Sequence, residues 1–326
     1  MSQTARMPQL PWPRAYLEAT AWPRTAELLA RLRRLGEAGT LPGTLLLLGD
    51  AGLGREAVAL ELAAGLICRD AGPPGCACSS CERARRGVHP DLEIVDVLPG
   101  KSDISIGQAR ELADSIAQRP FEGRRRVYIF TSCQSPPLNT DAASALLKTL
   151  EEPPAHATVL LLAANRARVL PTIVSRAVEI RIPPPDEAQA CGLLASHHGL
   201  DADAARRLLV AAASDAAVAL HADPAELPDQ AQVMRELLRA GLAGQALPLL
   251  RFAGSLRDEL GGPVRLPLAI ATLLDLTSSQ PPERAEAVLD GAAALLQAQR
   301  RQAALRLDLE GAAVGALARL VAAAAR

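Results

Sequence analysis

Four cysteines lie close together in the first third of the chain, in a segment that also contains prolines and glycines. Cys68, Cys76, Cys78 and Cys81 follow the spacing C-x7-C-x-C-x2-C. Four thiolates are the ligand set of a closed tetrahedral zinc site, which leaves no open position for a catalytic water. The spacing therefore predicts structural zinc. It leaves two alternatives open: incidental thiols, or His89 in place of one cysteine of the close C-x-C pair.

A glycine-rich loop is the second candidate site. Residues 49–56 read GDAGLGRE, and the glycines Gly49, Gly52 and Gly54 give the frame of a P-loop, whose backbone N–H groups bind phosphates. A working P-loop continues with a lysine that reaches the phosphates and a serine or threonine that binds magnesium. This chain has Arg55 and Glu56 at those two positions. The frame is therefore present, but the two side chains that act on the nucleotide are replaced.

The acidic residue that a P-loop ATPase needs at the end of a neighbouring strand is also missing. The apolar segment VYIF at 127–130 is followed by Thr131, Ser132 and Cys133. Two interpretations of the loop remain, a tight turn kept for packing or weak nucleotide binding without hydrolysis. Both predict that the chain alone does not hydrolyse ATP. Cys133 and Cys191 stand alone in the sequence, and we interpret them as small buried apolar side chains.

An α/β domain must position these candidate sites. Short apolar segments beginning near residues 44, 127 and 158 are typical of buried strands, and helical periodicity separates them. This alternation predicts a parallel sheet with helices on both faces. After Pro183 the pattern becomes helical throughout. We therefore predict an α/β domain at 1–183 with a zinc module at about 68–90, a small helical domain at 184–222 and a second helical domain at 223–326.

Composition excludes several classes of protein. The chain has 326 residues, 49% of them hydrophobic, and a net charge of -1, which argues against a disordered chain, a single small module or a polycation. The N-terminal residues contain no apolar signal region, and the longest apolar runs are far shorter than the about 20 residues that span a bilayer. We therefore predict no membrane segment. The clustered cysteines favour a metal site in a reducing cytoplasm over a disulfide framework.

Seven segments in a fixed order resemble one protein family. They are LPWPRAYLEA near the start, GDAGLGRE, the cysteine insert ending in GVHPD at 87–91, ISIGQARELADSI, ALLKTLEEPP from Ala145, LLAANR from Leu161 and TIVSRA from Thr172. Together they are similar to the delta-prime subunits of the bacterial DNA polymerase III clamp loader, which are AAA+ type proteins. The resemblance covers about residues 9–185. Its specific part is ALLKTLEEPP followed some twenty residues later by Ser-Arg.

The resemblance implies a function in an assembly. Motor subunits of such clamp loaders hydrolyse ATP at subunit junctions, and each junction takes an arginine from the neighbour's Ser-Arg-Cys motif. The matching residues here are Ser175, Arg176 and Ala177, so the cysteine of the motif is replaced. The resemblance thus implies a non-hydrolysing P-loop (AAA+ type) subunit that supplies Arg176 in trans. The helical domains would be the lid, at 184–222, and the C-terminal oligomerisation collar, at 223–326.

The same resemblance implies the partners. They are the ATPase motor and delta subunits of the loader, the sliding clamp, and primer-template DNA within a DNA-directed DNA polymerase (nucleotidyltransferase) holoenzyme. Two other functions remain open, a gamma/tau-type clamp-loader ATPase and a nucleotide-binding regulatory protein. The replaced residues Arg55 and Glu56 argue against the first, and a nucleotide titration of the isolated chain separates the second.

Two further charged groups have simpler interpretations. Glu151 and Glu152 are adjacent, and neighbours on a helix point about 100° apart, so they do not form a facing carboxylate pair for acid–base catalysis. We interpret them as a solvated helix end. The arginine triplet at 124–126 is interpreted as a loop before a strand rather than a DNA-binding site.

Overall fold

A computed structural model describes residues 19–70, 75–98, 101, 103–133, 138, 140–243, 268–270, 272 and 293. The chain divides into two compact units, residues 1–189 and 190–326. The segment LPWPRAYLEA, except its last residue, and most of the predicted C-terminal domain lie outside the described residues. Across the described ranges, no helix is both long and apolar enough to cross a lipid bilayer.

The first unit is built on a five-stranded sheet whose described pairings are all parallel. Its strands are β1 (Thr44–Leu48), β2 (Leu92–Val95), β3 (Arg126–Phe130), β4 (Ala157–Ala163) and β5 (Val178–Arg181). They lie in the order β2-β3-β4-β1-β5, so β4 is the middle strand and β1 lies between β4 and β5, pairing with both. The parallel sheet predicted from the alternating sequence pattern is confirmed.

Helices cover both faces of this sheet. They are α1 (Pro23–Glu37), α2 (Arg55–Ile67), α3 (Ser79–Arg85), α4 (Ile106–Ala117), α5 (Thr140–Glu151) and α6 (Pro171–Val174). Leu45 and Leu47 of β1 belong to the apolar cluster that includes α1, α2 and α3, whereas Leu46 and Leu48 belong to the cluster with α4, α5 and α6. Successive strand residues face opposite sides. An unbroken leucine run is therefore what a strand buried on both faces requires.

Local signals place the helix ends. Ser105 caps α4, and its Oγ accepts a hydrogen bond from the backbone N–H of Gln108 at 3.1 Å. Helix α5 ends at Glu151, two residues before Pro153, because the residue before a proline is disfavoured in helical conformation. The predicted helix within ALLKTLEEPP therefore ends with both Glu151 and Glu152 exposed.

The described part of the second unit is helical. Helix α7 (Glu187–His198) spans the division between the units and is followed by α8 (Ala202–Ala211), α9 (Ala216–His221) and α10 (Leu227–Leu242). Aspartates cap α8 and α9, where Asp201 accepts from the N–H of Ala204 at 2.7 Å and Asp215 from that of Val218 at 3.0 Å. Helix α10 packs against α8. The boundary predicted at residue 222 remains a prediction.

Candidate functional site

The glycine loop connects β1 to α2 at the carboxyl edge of the sheet. Gly54 precedes α2 with a φ of 108°, a backbone conformation that glycine adopts without steric cost. A Cβ atom at this position would lie 3.4 Å from the Cβ of Ala19, 3.4 Å from a methyl carbon of Ile182 and 3.8 Å from the ring of Trp22. These three side chains therefore pack closely against the loop beside Gly54.

The carboxylate of Glu56 turns into the glycine loop. Its Oε2 accepts a hydrogen bond from the backbone N–H of Gly52 at 3.0 Å, and its Oε1 accepts one from Arg55 Nε at 2.8 Å. Arg55 also donates from Nη1 to the carbonyl oxygen of Gly49 at 3.0 Å, and both side chains are buried. Backbone N–H groups of a P-loop bind phosphate oxygens. Glu56 therefore holds a position that an anionic ligand would need.

Cys133 lies near the loop, just beyond β3, where a P-loop ATPase would carry its acidic residue. Its backbone N–H donates to the carbonyl oxygen of Leu162 at 2.9 Å, and the thiol is buried. Burial raises the pKa of Cys133 to about 12, although the nearby Arg55 guanidinium opposes this. The thiol stays protonated at neutral pH and offers magnesium no charged ligand. Cys191, also expected to be buried, is partly exposed.

The four cysteines predicted to bind metal come together between the end of α2 and the start of α3. All four Sγ atoms lie within 4.8 Å of one another, and those of Cys68 and Cys78 are 3.8 Å apart. A regular tetrahedron with Zn–S bonds of about 2.3 Å has sulfur–sulfur edges of about 3.8 Å. The geometry therefore fits a tetrahedral zinc ion. Within the described ranges, this is the one His, Cys, Asp or Glu cluster suited to a metal.

Burial and neighbouring thiols shape the chemistry of this cluster. Cys81 is fully buried, and burial together with the adjacent Cys78 and Cys68 raises the pKa of its thiol well above the usual range. Four thiolates packed this closely would repel one another without a cation between them. A divalent metal ion removes that repulsion and deprotonates a coordinating thiol. The donor set therefore suits a thiophilic cation such as zinc.

Arg85 links the four-cysteine segment to helix α2 of the α/β domain. Its guanidinium forms an ion pair with the Glu61 carboxylate of α2, in which Nη2 donates to Oε2 at 3.1 Å. Its Nη1 donates to the carbonyl oxygen of Cys76 at 2.6 Å. The hydrogen bond to Glu61 raises the pKa of Arg85. This contact holds the backbone of Cys76 against α2, so that the short C-x-C spacing still brings its thiol to the cluster.

His89, the alternative ligand, is engaged elsewhere. Its Nδ1 accepts a hydrogen bond from the backbone N–H of Asp91 at 3.0 Å, and its Nε2 hydrogen-bonds with Ser80 Oγ at 2.9 Å. Burial lowers the pKa of His89, although the carboxylate of Glu122 opposes this. The group of side chains that could hold a metal consists of the four cysteines and does not include His89.

Asp91 joins the cysteine insert to the turn that precedes β3. Its carboxylate accepts three backbone hydrogen bonds, from Phe121 at 2.5 Å, Glu122 at 2.9 Å and Gly123 at 2.6 Å. Burial raises the pKa of Asp91, but the three backbone donors outweigh it and the net shift is downward. The ionised carboxylate therefore stabilises this turn.

Replacing Asp91 by asparagine should lower the free energy of unfolding by about 1 to 3 kcal/mol, because one amide oxygen cannot satisfy all three of the partly buried backbone donors. The pKa of Asp91 in the folded protein lies below the ordinary, unfolded pKa of about 3.9. The stabilisation is therefore complete above the unfolded pKa and is lost as the pH falls through the folded pKa. Urea unfolding should thus show a constant gap between wild type and variant from about pH 8 to pH 5, closing below about pH 4.

The control is Asp141→Asn, which removes an exposed carboxylate in the first turn of α5 and should cost less than about 1 kcal/mol. A gap for Asp91→Asn that widened in acid would contradict this account of the turn.

Arg176 lies between α6 and β5, and its guanidinium is held along one edge. Its Nε donates to Glu151 Oε2 at 2.9 Å, and its Nη1 donates to the carbonyl oxygen of Thr172 at 3.0 Å and to Ser175 Oγ at 3.3 Å. The side chain is 28% exposed. Ser175, predicted beside it, thus contacts the arginine directly.

A family model described as "DNA polymerase III, delta subunit" matches residues 24–186, which is half of the chain. The chain belongs to this family. The matched range includes all five strands, the glycine loop, the cysteine cluster and Arg176. The family resemblance found in the sequence motifs is therefore confirmed.

Named relatives of this DNA polymerase III delta-subunit family member include "DNA polymerase III subunit delta'" of Pseudomonas aeruginosa, 36% identical over 152 residues, which are 46% of each chain. The Escherichia coli delta' subunit is 32% identical over 189 residues, 56% of each chain. The Salmonella typhimurium tau subunit is 33% identical over 147 residues, 44% of this chain and 22% of tau. The chain spans about half the length of the delta' relatives it matches.

One solved structure to which the chain is similar is that of a DNA polymerase III gamma subunit-related protein from Thermotoga maritima. It has a TM-score of 0.42 and 20% sequence identity, covering 91% of this chain and 99% of that one.

Sequence reasoning on this family member missed two contacts that involve carboxylates. Glu56 stands where a P-loop has its magnesium ligand, but its carboxylate bonds to the loop itself. Glu151 is exposed, as a solvated helix end predicts, but it also contacts Arg176. For Glu56 the available signal was the adjacent Arg55. For Glu151, which lies 25 positions from Arg176, the sequence offers no local signal.

Proposed function

We propose that this chain is a non-hydrolysing AAA+ subunit of a DNA polymerase III clamp loader, of the delta-prime type. The observation that carries the proposal is the occupied glycine loop. The Glu56 carboxylate bonds to the Gly52 N–H and pairs with Arg55, so an anionic phosphate would have to displace a buried ion pair. The loop also lacks the lysine and the hydroxyl of an ATPase, and β3 is not followed by the acidic residue that an ATPase needs.

The second part of the proposal is that Arg176 acts in trans on a neighbouring ATPase. Its partial exposure supports this role, because a side chain buried in the core could not reach another subunit. A guanidinium stabilises charge on a transferring phosphoryl group. A subunit whose own loop is closed can therefore still complete a neighbour's active site. The names of the delta' and tau relatives support a place in the DNA polymerase III assembly.

The remaining parts of the proposal follow from this place in the assembly. The partners are the motor and delta subunits, the sliding clamp and primer-template DNA, all in the cytoplasm. The four-cysteine cluster would hold a structural zinc ion that stabilises the α/β domain and takes no part in catalysis. We propose the α/β domain at 1–183, the lid at 184–222 and the oligomerisation collar at 223–326.

The rival function is that of a gamma/tau-type motor, and similarity to a tau subunit favours it. The filled loop argues against it, since a motor must admit ATP. A nucleotide-binding regulator is opposed by the same contacts, because it would have to bind a nucleotide alone.

One experiment separates these functions. Nucleotide titration and ATPase assays of the isolated chain should show no turnover and a Kd for ATP above about 1 mM. When mixed with motor and delta subunits, the chain should co-purify with them on size exclusion and raise the ATPase rate of the assembly. ATP hydrolysis by the chain alone that is lost on Arg55→Ala would establish the motor. Tight ATP binding without assembly would establish the regulator.

A further inference from the structure

We propose that Glu151 is a positioning residue for Arg176, an inference that rests on the proposed function of this arginine. Glu151 is the last residue of α5, and Arg176 follows α6. The two are 25 positions apart in sequence and meet only through the packing of α5 against α6. The tertiary structure therefore supplies a carboxylate to a site that the Ser-Arg motif does not specify.

The contacts divide the guanidinium into a held edge and an open edge. Glu151 accepts from Nε at 2.9 Å, and the Thr172 carbonyl and Ser175 Oγ accept from Nη1 at 3.0 and 3.3 Å. Within the part of the chain that the structure describes, no hydrogen bond or ion pair involves Nη2. A guanidinium is planar and carries five donors in a rigid fork. Fixing Nε and Nη1 therefore sets the direction in which the Nη2 donors point.

The exposure of the Glu151–Arg176 ion pair indicates that it serves to orient the arginine. The Glu151 side chain is 58% exposed and that of Arg176 28% exposed. Exposed ion pairs contribute little to folding stability, so the pair is poorly explained as a device for holding the domain together. Orientation is a better explanation. Misplacing a catalytic group by about 1 Å can cost about a hundredfold in rate, and a free arginine side chain samples many rotamers.

The chain provides a matched control for this contact. Glu152 is the next residue, carries the same charge and is exposed. Its backbone N–H donates to the Lys148 carbonyl at 3.1 Å, and its side chain forms no hydrogen bond or ion pair with any described residue. Substituting Glu152 changes the net charge of the helix end by the same amount without touching Arg176. A difference between the two variants therefore reports the contact and not the charge.

The experiment is steady-state ATPase of the reconstituted loader, with complexes matched for assembly by size exclusion. The quantity measured is the part of kcat that Arg176→Ala removes. We expect Glu151→Ala to lower the Arg176-dependent part of kcat by about tenfold and to leave KM unchanged. This loss is smaller than that caused by Arg176→Ala, because Thr172 and Ser175 still hold Nη1. Glu151→Gln should retain most of this part of kcat, since its amide oxygen can accept from Nε. Glu152→Ala should match wild type.

Each other outcome overturns the inference in its own way. If Arg176→Ala itself has no effect, the proposed trans-acting role of Arg176 fails and Glu151 has nothing to position. If Arg176→Ala lowers kcat but Glu151→Ala equals wild type, the finger stands and the positioning role is wrong. A higher rate in Glu151→Ala would show that Glu151 restrains the arginine instead. A further loss when Glu151→Ala is added to Arg176→Ala would show that Glu151 acts on something other than Arg176.

Discussion

Arg176→Ala is expected to remove the acceleration of ATP hydrolysis at one subunit junction of the loader. An arginine supplied in trans accelerates phosphoryl transfer by about 10³ to 10⁵, which corresponds to about 4 to 7 kcal/mol of transition-state stabilisation. The loss is confined to the junction that this subunit completes. The steady-state rate of the whole assembly should therefore fall in part, and clamp loading should fall further if the junctions act in sequence.

The variant should fold and assemble normally. Arg176 is partly exposed and its ion pair with Glu151 lies at the surface, so its removal should cost less than about 1 kcal/mol of stability. Arg176→Lys should be nearly as harmful to the rate as alanine. An ammonium group is a point charge that cannot keep contacts to Glu151 and Ser175 while presenting a planar edge to phosphate.

The measurement compares ATPase and clamp loading of complexes matched by size exclusion. Arg166→Ala is the matched control, because Arg166 is also an exposed arginine whose Nε donates to a carboxylate, that of Glu179 at 2.6 Å. We expect this control to behave as wild type. Equal rates for Arg176→Ala and wild type would require the trans-acting role to be assigned to another residue.

Cys81→Ser is expected to abolish stoichiometric zinc binding and to destabilise the α/β domain. Cys81 is fully buried in the apolar cluster beside α2, so a hydroxyl that cannot complete a tetrahedral sulfur site would remain in a dry environment. Structural zinc contributes about 10 to 16 kcal/mol to isolated zinc fingers. The loss should be smaller here because the sheet holds the module's ends, and we expect several kcal/mol.

Metal analysis of protein prepared without chelator gives the first readout, and thermal unfolding gives the second. Cys191→Ser is the control, since Cys191 lies on α7 away from the cluster in sequence and should leave both zinc content and Tm unchanged. Wild-type protein that holds no stoichiometric zinc would show that the four thiols serve only packing. A Cys81→Ser variant that keeps its zinc would show that Cys81 is not a required ligand.

Much of the fold could be predicted because its signals are local. The leucine run at 45–48 and the apolar run at 159–162 are too short and too continuous for anything but strands buried on both faces. Ser105 before α4 and Pro153 after α5 mark helix ends through bonds and clashes within a few residues. Such signals need no knowledge of distant parts of the chain.

The two sites could be predicted to different extents, because some of their signals are local in sequence and others are not. The cysteine cluster could be recognised as a candidate metal site because three of its four members lie within six residues, but only the structure separates it from His89. The glycine loop could be recognised by its frame, but not the direction of the Glu56 side chain, which could equally have pointed to solvent. That direction depends on the buried contacts with Arg55 and Gly52.

The parallel α/β class, the cysteine cluster as a candidate metal site, the loss of the ATPase side chains and the family resemblance all follow from the sequence. The tertiary structure alone decided which carboxylates meet which partners. Asp91 holds backbone groups 30 to 32 positions away, and Glu151 meets Arg176 across 25 positions. Any carboxylate needs hydrogen-bond donors, but which donors it meets depends on which loops the sheet brings to the same edge. That is a property of the packed chain, and no local pattern encodes it.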